Sequence, residues 1–139
     1  MFDGASLDEV EAAVASWRAA VHDGTAEDLG RPRRIDVPSK VAQVAAVRAV
    51  AAERRDADPA LGMLVAAVCP GLVDTALSRP WFADFSQVQT PAQAAVAVLD
   101  LLLAEKADPS VYGELVRFGE VLPRRAGSPP RHQEGLLRR

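Results

Sequence analysis

Val10, Val14, Trp17 and Val21 recur at spacings of four, three and four, which draws one apolar stripe along a helix over roughly residues 7–22. Ahead of it, Ser6-Leu7-Asp8-Glu9 has the form of a capping box: a hydroxyl for a free helix N–H and a glutamate three residues on. Gly24 ends this helix, and a polar loop runs through Arg34. A second helix is expected to begin near Asp36 or Val37, where Pro38 is tolerated because the first turn has no partner for its N–H. Val41, Val44, Val47 and Val50 then repeat every third residue with alanines between them, and Glu53 to Asp56 finish the helix in solvent. Leu64-Val65-Ala66-Ala67-Val68 is a short apolar run followed by Pro70-Gly71, the pattern of a buried strand in a parallel sheet. Thr90-Pro91-Ala92-Gln93 starts a third helix with N-cap, proline and glutamine in their favoured places. Val96, Leu99, Leu102 and Leu103 are expected to form its core face. Asp108-Pro109 closes it, and Gly113 to Phe118 alternates as a final strand.

The order helix, helix, strand, helix, strand predicts an α/β fold with about two parallel strands, three main helices and a right-handed crossover. Two strands are few for a sheet whose faces and edges all need cover. The sequence therefore reads as part of a larger fold, with an open apolar strand edge through which a homo-oligomer is expected.

Residues 1–123 carry this whole pattern. The stretch 124–139 holds five arginines and two prolines with almost nothing to bury, and is expected to be a disordered basic tail. A net charge of −3 implies no nucleic-acid partner. The longest apolar stretch, 94–104, is interrupted by Asp100 and falls short of the ~20 residues that span a bilayer. The opening MFDGASLDEVEA has no basic region followed by an apolar core, as a signal peptide would. A single cysteine, Cys69, cannot make an internal disulfide. The expectation is a cytoplasmic, soluble protein without a membrane partner. Cys69 reads as a buried, inert thiol, and Trp17, Trp81 and Phe82 as core or cover. Neither histidine, His22 nor His132, lies near Cys69 in sequence, so no metal site is expected.

Three segments resemble the short-chain dehydrogenase/reductase family of the carbonyl-reductase type. Gly30 to Lys40 is similar to the stretch in which a Gly-Trp-Pro leads into Tyr-x-x-x-Lys on that family's active-site helix. Val65 to Thr75, with Cys69-Pro70-Gly71-Leu72-Val73-Asp74-Thr75, resembles its strand and Pro-Gly-x-Val-x-Thr loop. Thr90-Pro91 through Tyr112-Gly113-Glu114-Leu115-Val116-Arg117 resembles its last helix and strand. The helix over 7–22 matches the helical insertion that such reductases carry before the active-site tyrosine. The match covers roughly residues 5–123. It implies the C-terminal half of a doubly wound Rossmann fold and an oxidoreductase that passes hydride from NADP or NAD to a small-molecule carbonyl substrate.

By that resemblance Lys40 takes the position of the catalytic, ribose-binding lysine, while Pro70, Gly71, Val73 and Thr75 take the nicotinamide-side positions. In the family the lysine cation favours the tyrosinate one helical turn away, so the phenol can give its proton to the carbonyl as hydride arrives. Asp36 stands at the tyrosine position here, and an ionised carboxylate has no proton to give at pH 7. Ala66 stands where the family often has asparagine. No G-x-G-x-x-G or G-x-x-x-G-x-G cofactor turn occurs in the chain, and the family's catalytic serine lies upstream of the insertion helix. A fragment or degenerate member, without activity as this chain, is therefore expected. Read without the resemblance, Asp36 is a helix N-cap whose carboxylate pairs with Lys40, and Pro70-Gly71 is a strand-to-helix turn. The alternatives are a non-catalytic dimerisation or interaction module and, last, acid–base chemistry by Asp36 and Lys40 without a cofactor.

Overall fold

The computed structural model describes residues 2, 4–86 and 88–123, so the expected tail over 124–139 lies outside the described residues. Helix α1 spans Leu7–His22 and starts with the expected box. The Ser6 hydroxyl accepts the Glu9 N–H at 3.3 Å, and the Glu9 carboxylate accepts the Ser6 N–H at 2.8 Å. Along its stripe Val10 is buried and Val14, Trp17 and Val21 are half-buried. The following loop folds back on this helix: Trp17 Nε1 donates to the Pro32 carbonyl at 2.7 Å, and the Arg31 guanidinium to the Ser16 hydroxyl at 2.9 Å.

Helix α2, Asp36–Arg54, packs against α1. Its N-cap is Ile35, with no side-chain cap, rather than Asp36. Ile35 already has helical dihedrals (φ −78°, ψ −25°), so no extended residue is left at which the Asp36 carboxylate could close on an N–H. The valine repeat does not make a single buried face. Three residues turn a helix about 60° short of a full revolution, so the three steps from Val41 to Val50 drift roughly half-way round the cylinder. Val41 is exposed, Val44, Val47 and Val50 are half-buried, and the deepest positions are Ala45, Ala49 and Ala51.

The strands are shorter than the sequence suggests, and there are three: β1 Ala67–Cys69, β2 Leu115–Arg117 and β3 Glu120–Val121, in the order β1-β2-β3. Leading into β1 and β2, Gly113 N–H donates to the Val65 carbonyl at 2.7 Å and Ala67 N–H to Glu114 at 2.9 Å. Both segments advance together, the parallel sense expected. The unexpected β3 returns antiparallel on β2, pairing Val116 with Val121 and Arg117 with Glu120. Its two-residue turn has φ 54° at Phe118 and φ 82° at Gly119. That is the left-handed pair of a type I′ hairpin, for which Asn-Gly is the usual signature. Phe-Gly hides it.

The chain divides into two compact units. One comprises Met1–Ala67 with Ala107–Leu115, the other Val68–Lys106 with Val116–Arg139. The first buries Val10, Ala20, Ala26, the three alanines of α2, Val111 and Tyr112. The second contains helix α3, Pro91–Leu102, whose Thr90 cap and Gln93 form the expected box. Its expected core face is not buried. Val96 and Leu99 are 55% and 49% exposed, Leu102 and Leu103 71% and 75%, and only Ala94 of this helix is buried. The periodicity marked a real apolar face, but in this unit the helix turns Ala94, Ala97, Val98 and Leu101 inward instead. Trp81 is exposed as well, against the expected core or cover role, whereas Phe82 is half-buried. Cys69 is half-buried rather than buried.

Candidate functional site

The most fully built polar cluster lies in the first unit, among residues the sequence reading did not select. Asp58 is 0% exposed and follows α2 by one turn of chain. Its carboxylate accepts from Arg54 Nε at 3.0 Å, from the second guanidinium arm at 2.9 Å and from the Tyr112 hydroxyl at 2.9 Å. The Arg54 hydrogen bonds hold the Asp58 carboxyl below the usual carboxylate range, against the upward push of burial. Burial first, and then the Asp58 bond, push the Tyr112 hydroxyl up. The Arg55 guanidinium lies 5.7 Å from the Tyr112 ring centroid. Beside it Gly113, at φ +76°, presses so close that an added Cβ would lie 2.9 Å from the Ala51 Cβ. Arg48 reaches Glu114 at 3.6 Å. A carboxylate enclosed by three donors and shut off from solvent holds chain segments together and has no access to a substrate proton. Arg54 and Asp58, four apart, were findable as a pair in sequence, whereas Tyr112 carries no local signal.

Asp36 and Lys40 lie on the first turns of α2, exposed, and are not brought into contact. The Asp36 carboxylate meets Arg34 at 3.3 Å, and Lys40 Nζ donates to Gln43 Oε1 at 3.4 Å. The expected Asp36–Lys40 pair is thus replaced on both sides, because each charge has a nearer partner. An exposed carboxylate held by a guanidinium is an acceptor. It does not fit the role of the proton donor that stands at this position in the resembling family.

Pro70, Gly71, Val73 and Thr75 fall together on one loop of the second unit. Gly71 takes φ +77°, and a Cβ there would meet the Phe118 ring at 2.7 Å, so the turn needs glycine on both counts. The loop is fixed by a parallel bridge between Val73 and Gln89 and by two bonds, Asp74 N–H to Gln89 and Gln89 N–H to Leu72. Thr75 is turned into its own chain. Its hydroxyl accepts Ser78 N–H at 3.1 Å, while Thr75 N–H donates to the Ser78 hydroxyl at 2.9 Å, which in turn donates to the Val73 carbonyl at 2.7 Å. Asp74 forms a two-point pair with Arg79 at 2.6 and 3.1 Å, whose bonds hold the carboxyl below its ordinary range. The space that a side chain at Gly71 would take is filled by the Phe118 ring, so the glycine serves the packing of its own unit.

Among the described residues no group of three or more histidine, cysteine or acidic side chains could hold a metal ion. No described helix is long and apolar enough to cross a membrane. No family model, no curated protein and no solved structure matches the chain.

Proposed function

We propose that the chain corresponds to the C-terminal half of a short-chain dehydrogenase/reductase fold of the carbonyl-reductase type, in a degenerate form that does not itself catalyse hydride transfer. The observation that carries this reading is topological. A helix with Lys40 on its first turns leads to β1, a Pro70-Gly71 turn and α3, and the chain then returns beside β1 in the same direction. That is the order and adjacency which the resemblance implies for a partial Rossmann fold. Within the second unit Gly71, Val73 and Thr75 remain on one fixed loop, the part that the resemblance would set against a nicotinamide. What fails is the proton donor, because Asp36 is tied to Arg34.

Incubation of the 139-residue chain with NADPH and a panel of ketones, aldehydes and quinones is therefore expected to give no oxidation above the protein-free rate. Asp36→Tyr alone is expected to leave that unchanged, since the chain contains no Gly-rich phosphate turn. Turnover by either form would overturn the reading.

A second reading, a module for self-association, is favoured by the exposed row Val96, Leu99, Leu102 and Leu103 on α3 and by the position of apolar β1 at one edge of the sheet. An apolar row of this kind, left open on a helix that already buries its other side, is a surface that association covers. This reading predicts a dimer by light scattering that Leu99→Asp returns to monomer; a monomer at all concentrations tested would rule it out.

A further inference from the structure

We draw no further inference here: the strongest candidate, the apolar face of α3 formed by Val96, Leu99, Leu102 and Leu103, belongs to the self-association reading above, and nothing in the structure shows what covers it.

Discussion

Replacing Asp58 by alanine leaves the Arg54 guanidinium and the Tyr112 hydroxyl without the carboxylate that joins them. The Tyr112 hydroxyl then stays desolvated and unpaired, whereas the half-exposed Arg54 guanidinium turns to water. The expected outcome is a fall in thermal midpoint on the order of 5–10 °C, with Tyr112→Phe falling less because Arg54 still satisfies the carboxylate. The pH dependence follows from the direction of the shift. The folded Asp58 lies below its ordinary value, so its contribution is present above about pH 4 and is lost as the pH drops through the folded value. Thermal melts of the wild type are expected to lose midpoint on acidification below that point, and Asp58→Asn to flatten that part of the curve. An unchanged acid slope in the variant would contradict this role. The Arg54–Asp58 pair was readable from its spacing of four, but its third member was not: Tyr112 lies 54 residues from Asp58, and only tertiary structure joins them. At Asp36 the residue type was informative but its partner was not, since Arg34 and Lys40 are both within reach of a carboxylate and geometry chose Arg34.

The helices were the most legible elements because their signals are local. Ser6 with Glu9 and Thr90 with Gln93 form reciprocal boxes as the sequence promised, since each bond spans three residues and needs nothing from elsewhere. Thr90→Ala is expected to cost about 1 kcal/mol in urea denaturation, with most of the loss read from the second unit. The strands were less legible. The apolar run from Leu64 supplies only Ala67–Cys69 to the sheet, and the hairpin to β3 uses Phe118 in a left-handed conformation that its side chain does not advertise. Gly113→Ala is a direct test of the close packing beside α2. Its φ of +76° is a strained conformation for alanine, roughly 1–3 kcal/mol, before the 2.9 Å approach to the Ala51 Cβ is counted. Stability equal to wild type would mean that the segment does not pack on α2 as described.

For the molecule as a whole, the α/β class was readable from the alternation of 3.6-residue and strand-like patterns, and the apolar face of α3 was correctly located but wrongly assigned to a core. Periodicity reports that a face is apolar, not what covers it. The same limit applies to function. In the proposed reading Gly71 and Lys40 are retained residue types, while position 36 holds a carboxylate bound to arginine. On that reading the fold is kept and the hydride chemistry is not, a separation open to direct test. Titration of the purified 139-residue chain with NADPH, followed by cofactor fluorescence while circular dichroism records the fold, tests that separation most directly. A folded α/β spectrum with no saturable signal into the millimolar range is the predicted result; saturable binding at micromolar cofactor would contradict it.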